Sequence, residues 1–136
     1  MFRPSTAKKG LKAYWLDGIL PSVKLPNANH ARVDESKVTD YLLSVSHPDG
    51  TAKARFFERF GFLSSKCSVF ILALLEHGRV NPVANVVDNE FGKRYSVDGE
   101  IRSPDGRNPT IRTVWIIEAG LNIPRLITAY PLEEPK

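Results

Sequence analysis

Ile111-Arg112-Thr113-Val114-Trp115-Ile116-Ile117, answered by Pro124-Arg125-Leu126-Ile127-Thr128-Ala129-Tyr130, decides the reading of this chain. The first run is β-branched and aromatic, which suits a buried strand. Apolar side chains fall on both of its faces, as in a central strand. Arg112 nevertheless shares a face with Val114 and Ile116, because side chains alternate along a strand. Leu121-Asn122 supplies a turn, and Pro124 suits the opening of an edge strand. With that turn, Thr113 comes opposite or nearly opposite Thr128. The hairpin then carries two arginines, two threonines and a tyrosine out of a largely apolar sheet. Two readings stay open: a core hairpin with solvated polar groups, or the floor of an anion-binding site.

Upstream of the hairpin the period is also 2. Val83-Ala84-Asn85-Val86-Val87 reads as a strand, and Asn89-Glu90-Phe91-Gly92 turns it. Tyr95, Val97, Gly99 and Ile101 alternate with Arg94, Ser96, Asp98 and Glu100, a strand with one wet face. Before residue 80 the period is that of helices. Asp34 is placed to cap a helix over 35–44, with Val38, Tyr41, Leu42 and Val45 as its stripe. Ser46-His47-Pro48-Asp49-Gly50 breaks it. A second helix runs from about Thr51 to Phe60 and ends at Gly61. A third, nearly apolar all round, runs from about Ser65 to His77 and ends at Gly78, with His77 on the terminal carbonyls. The plan is α+β: three N-terminal helices followed by a four-stranded antiparallel meander, in one domain over 25–131. Residues 1–24 form a basic arm or linker, and 132–136 a loose tail.

The chain has 136 residues, enough for a core, and a formal net charge of +4 that permits an acidic partner or a polynucleotide. No apolar run approaches the roughly 20 residues that cross a bilayer, so no membrane association is expected. No secretory leader is evident, and the single Cys67 fits a reducing cytoplasm, as a small buried hydrophobe.

Several chemistries find little support. There is no HExxH, no Cys-x-x-Cys, no Gly-rich phosphate loop and no Gly-x-Ser-x-Gly elbow, so neither metal nor cofactor is expected. A paired-carboxylate glycosidase stays open, although the acids sit mostly on turns and wet faces. What remains is a set of cations and hydroxyls: His47, Lys53, Arg112, Thr113, Arg125, Thr128 and Tyr130. At 100° per residue from Ala52, Lys53 falls at about 100°, inside the arc from about 40° to about 140° that holds Phe56, Phe60 and Phe57. An inward lysine is costly unless partnered or at a cleft; otherwise it snorkels out along its stem. Metal-free RNA cleavage needs a base for the 2′-hydroxyl, cations for the charge on phosphate and an acid for the leaving oxygen. His47 suits acid or base, Lys53 and Arg112 the charge, Thr113 and Thr128 positioning. Tyr95 or Tyr130 suits stacking on a base, with Arg125 nearby.

Leu25-Pro26-Asn27-Ala28, His47-Pro48-x-Gly50-x-x-Lys53-Ala54-x-Phe56-Phe57, Gly61-Phe62, Phe91-Gly92-x-x-Tyr95-x-Val97-Asp98 and Pro104-x-Gly106 form an ordered motif set. It continues through Arg112-Thr113-x-Trp115-Ile116-Ile117 and Pro124-Arg125-Leu126-x-Thr128-x-Tyr130. Together these resemble a bacterial toxin-type domain family of unknown function, over residues 25–131. The resemblance implies a toxin–antitoxin or toxin–immunity setting, with a small acidic antitoxin or immunity protein as partner. In architecture the plan is similar to the metal-independent ribonucleases barnase, EndoU, the tRNA-cutting colicins and RelE. The expectation is therefore a toxin-like endoribonuclease acting on RNA in the cytoplasm, its own cell's or a target cell's. Lys53 and Arg112 come first among its residues, then His47 and Thr128. A non-catalytic module docking a protein or nucleic acid on the same basic face is the alternative, and another toxin chemistry such as nucleotide or NAD glycohydrolysis is a third.

Overall fold

The computed structural model describes residues 23–42 and 51–132. The basic arm up to residue 22, the breaker with His47, the end of the first helix and the tail beyond 132 lie outside the described residues. Four strands, β1 (Val83–Asn89), β2 (Gly92–Glu100), β3 (Thr110–Glu118) and β4 (Arg125–Pro131), pair in chain order as one antiparallel sheet. Helices precede them, so the architecture is α+β, as the change of period implies. The first helix differs from its expectation. Only Glu35–Lys37 (α1) is α-helical, and the chain then passes into a π-helical stretch, Val38–Leu42. Asp34 occupies the cap position without a side-chain capping bond.

Helix α2 (Thr51–Arg59) ends as its glycine requires. Gly61 takes φ +101°, and the amides of Gly61 and Phe62 reach back to the carbonyls of Glu58 and Phe57. That pair of bonds, with Phe62 packed on Phe57, is a Schellman cap. Helix α3 (Cys67–Val80) runs past Gly78, where a stop was expected, and is closed by Asn81, whose side-chain amide donates to the His77 carbonyl. Gly78 serves packing instead: a Cβ there would lie 2.6 Å from Cζ2 of Trp115. Cys67 is half-buried at the start of α3, packed against the core, with its thiol on Glu35 at 3.3 Å. The Glu35 carboxylate holds that thiol's pKa above its ordinary value.

The core lies between the helices and one face of the sheet. Phe57, Phe62, Phe70 and Leu74 meet Val97, Ile111, Trp115, Leu126 and Ala129, all fully or almost fully buried. A polar chain crosses this core. Trp115 Nε1 donates to the Thr113 hydroxyl at 2.8 Å, and that hydroxyl lies 2.9 Å from Nδ1 of His77. Nε2 of His77 faces the carbonyls of Gly99 and Ile111, which only accept, so the proton sits on Nε2. Nδ1 then accepts from Thr113. Burial holds the His77 pKa below its ordinary value, which keeps the ring neutral in this arrangement. His77 is thus a buried tie from helix to sheet, not the terminal cap expected of it.

Candidate functional site

The face of the sheet opposite Trp115, Val97 and Leu126 carries the polar groups. Antiparallel partners point to the same side, so the register builds three cross-strand rows there. They are Asp98–Arg112–Tyr130, Ser96–Val114–Thr128 and Arg94–Ile116–Arg125.

Thr128 reaches this face because β4 is irregular. Trp115 pairs with Leu126, but Val114 pairs with Thr128, leaving Ile127 as the extra residue of a β-bulge. In an unbroken ladder Thr128 would sit opposite Thr113, the register the sequence suggests. The extra residue moves Thr128 opposite Val114 and turns its side chain to the other face. Tyr130 follows it, opposite Arg112.

Lys53 enters from α2. Its Nζ donates to the Thr128 hydroxyl at 2.9 Å and lies 5.7 Å from the centre of the Tyr130 ring. Half-burial of the lysine on the aromatic side of α2 is thus matched by a hydroxyl and a π-face on β4. Arg112 enters from β3. Its guanidinium forks onto both oxygens of Asp98, at 2.7 and 2.8 Å, and Arg112 pairs across the strands with Tyr130. These contacts push the arginine's pKa further up, Asp98 contributing most, so it is a permanent cation. Lys53 and Arg112 therefore approach one residue, Tyr130, from two different elements. The pair of Arg112 and Asp98 keeps 28% and 26% of its side-chain surface open.

Two of the candidate residues do not join this group. Thr113 faces the helices, fully buried, with its hydroxyl committed to Trp115 and His77. Tyr95 is opposite Trp115 on the same inner face and is 8% exposed, so its ring is core rather than a stacking platform. In both cases the cause is parity: each lies one residue from a position on the outer face. Arg125 is on the outer face, two rows from Arg112, in an exposed contact with Glu118 at 3.4 Å. His47 lies outside the described residues.

Asp98, Ser96 and Arg94 are the additions. The alternation along β2 marked them as a wet face; their place beside Arg112 followed only from the β2–β3 register. Among the described residues, no three or more His, Cys, Asp or Glu gather so as to hold a metal ion. No single described helix is long and apolar enough to cross a membrane.

The comparisons bear on this fold. No curated protein matches the chain. Among solved structures, a chain of the contact-dependent growth inhibition toxin–immunity protein complex from Klebsiella pneumoniae 342 is similar, with a TM-score of 0.62 and 17% identity. The match covers 79% of this chain and 98% of that one, so the two share a fold. A family model described as a domain of unknown function (DUF6883) matches residues 24–133, which takes in every element described above. The chain is a member of the DUF6883 family.

Proposed function

We propose that this chain is a toxin-type domain that cleaves RNA without a metal ion, and that a small acidic immunity or antitoxin protein restrains it by covering the same face. The observation that supports it is the meeting of Lys53 from α2 and Arg112 from β3 at Tyr130, on the face the core does not use. Two fixed cations beside hydroxyl groups suit a phosphodiester, whose oxygens gain charge as the 2′-hydroxyl attacks. Lys53 and Arg112 offset that charge, and Thr128 positions the phosphate through the hydroxyl it already presents to Lys53. Asp98 keeps the guanidinium fork oriented. Proton transfer falls to His47, which precedes α2 by a few residues in sequence. The similarity to a chain from a toxin–immunity complex is in keeping with the setting and the partner. The site of action is then a cytoplasm, that of the producing cell or of a target cell.

Incubation of the purified protein with RNA in EDTA tests this. Cleavage is expected, and Lys53→Ala is expected to slow it by about 10²–10³-fold, the range for loss of one charge-stabilising donor. No cleavage by the parent would remove the nuclease reading. A second reading has one observation in its favour: Asp98 already neutralises Arg112, as suits a surface that docks rather than reacts. In that case the protein binds RNA or a protein partner in EDTA and cuts nothing.

A further inference from the structure

The outer rows repeat every second residue along the strands, so neighbouring rows are about 7 Å apart at roughly 3.4 Å per residue. That spacing is close to the repeat of successive phosphates in an extended single strand. The rows also differ in kind. The first holds Arg112, with Lys53 beside it at Tyr130. The second holds two hydroxyls, Ser96 and Thr128, astride Val114. The third holds two further cations, Arg94 and Arg125, astride Ile116. Arg94 is exposed and has no ion pair among the described residues. Arg125 has Glu118 at 3.4 Å, an exposed pair of the kind worth little in water.

We infer that the third row is a second phosphate subsite, and that the substrate is a single-stranded RNA segment laid along the strand axes across all three rows. This rests on the ribonuclease reading and extends it. One phosphate reacts at Arg112, Lys53 and the Thr128 hydroxyl, the next passes over Ser96 with no cation of its own, and a distal one is held by Arg94 and Arg125, the second cationic subsite. The three strands span only about 10 Å from β2 to β4, the width of one polynucleotide strand and not of a duplex. The half-buried Tyr130 and Ile116 offer contact to unpaired bases and sugars. Asp98 does not oppose the distal phosphate, because it is two rows away and bound to Arg112.

The test uses the full chain and 2′-deoxy oligonucleotides, which lack the attacking hydroxyl and stay uncut. Affinities for a single-stranded hexamer and a dinucleotide are measured over a range of salt. For the parent, the hexamer is expected to bind at least tenfold more tightly than the dinucleotide. For Arg94→Ala, that ratio is expected to fall about tenfold, and the salt slope for the hexamer by about 0.7, the value for one single-strand phosphate contact. Arg94→Lys is expected to recover most of the slope, since it keeps the charge. A hexamer that binds Arg94→Ala as tightly as the parent would overturn the subsite, as would a hexamer no tighter than the dinucleotide. A duplex hexamer bound as tightly as the single strand would overturn the strandedness. Cleavage of the matching RNA hexamer separates the two levels. RNA cut by the parent at a rate and KM indifferent to Arg94 sinks the subsite alone; RNA neither cut nor bound sinks the nuclease reading with it.

Discussion

Gly78 lies inside α3, where alanine would ordinarily stabilise a helix by about 1 kcal/mol. Here a Cβ would meet three atoms of the Trp115 indole, at 2.6, 2.9 and 3.1 Å. The ring is fully buried and tied by its N–H to Thr113, so it has no room to move away. Overpacking of this kind costs about 1–3 kcal/mol, which outweighs the propensity gain. Gly78→Ala is therefore expected to lower stability by up to about 2 kcal/mol in urea denaturation, net of the propensity term; a stabilised variant would show that the notch is not tight. Neither the notch nor the part His77 plays beside it was legible in the sequence. A glycine after an apolar run reads as a cap until a tryptophan 37 positions further on is placed against it. Lys53 was legible, because a lysine within an aromatic arc needs a partner. Its partners, Thr128 and Tyr130, belong to a different element and depend on how β4 pairs.

At the scale of elements, the bulge at Ile127 decides which hydroxyl joins the cations. Leu126-Ile127-Thr128 carries no glycine, proline or asparagine to announce an irregularity, so the sequence suggests an unbroken ladder. The ladder puts Thr113 and Thr128 together; the bulge separates them by the thickness of the sheet. Deleting Ile127 removes the extra residue and leaves a regular ladder in which Thr128 still faces Val114 and Tyr130 still faces Arg112. The Lys53 contacts on both residues are therefore kept. The deleted chain is expected to keep far-ultraviolet circular dichroism of an α+β protein and most of any RNA cleavage. Thr128→Ser, which keeps the hydroxyl on the bulged strand, is expected to keep most of the rate. A deletion variant that keeps its fold and cuts no RNA would show that the register of β4 alone does not build the site. Strand positions and the alternation of β2 and β3 were otherwise plain from period and composition, which is why Arg112, Val114 and Ile116 were correctly grouped.

For the whole molecule, helices and sheet are joined through a histidine whose neutral form the fold requires. Folding holds the His77 pKa below its ordinary value of about 6.5, chiefly by burial. A lowered histidine pKa means the unfolded chain binds the proton first as pH falls. Stability from this group is thus full above about pH 6.5 and declines as pH drops below it, until the folded-state pKa is passed. The carbonyls of Gly99 and Ile111 and the carboxylate of Asp98 oppose part of that decline by favouring the charged ring. The urea midpoint of the parent is expected to fall between pH 7 and pH 5.5. His77→Gln, which keeps an amide donor for the two carbonyls, is expected to be less stable but to lose most of that slope. A parent midpoint that is flat over this range would contradict the neutral tie. Asp105 does not confuse the window. Its pKa is held below the usual carboxylate range by the Arg107 amide and other bonds in its turn, so its contribution is lost at lower pH.

The order of helices then meander follows from the shift of period near residue 80, and it places one sheet face in the core and leaves the polar rows on the other. The two residues that meet at Tyr130, Lys53 and Arg112, are 59 positions apart on either side of that shift, and a double-mutant cycle on RNA cleavage in EDTA reads their cooperation directly. Lys53→Ala, Arg112→Ala and the double variant are compared with the parent. If both cations serve one phosphate, the double variant loses clearly less than the product of the two single losses. Losses that multiply fully, or a single variant that cuts RNA as fast as the parent, would contradict a shared centre.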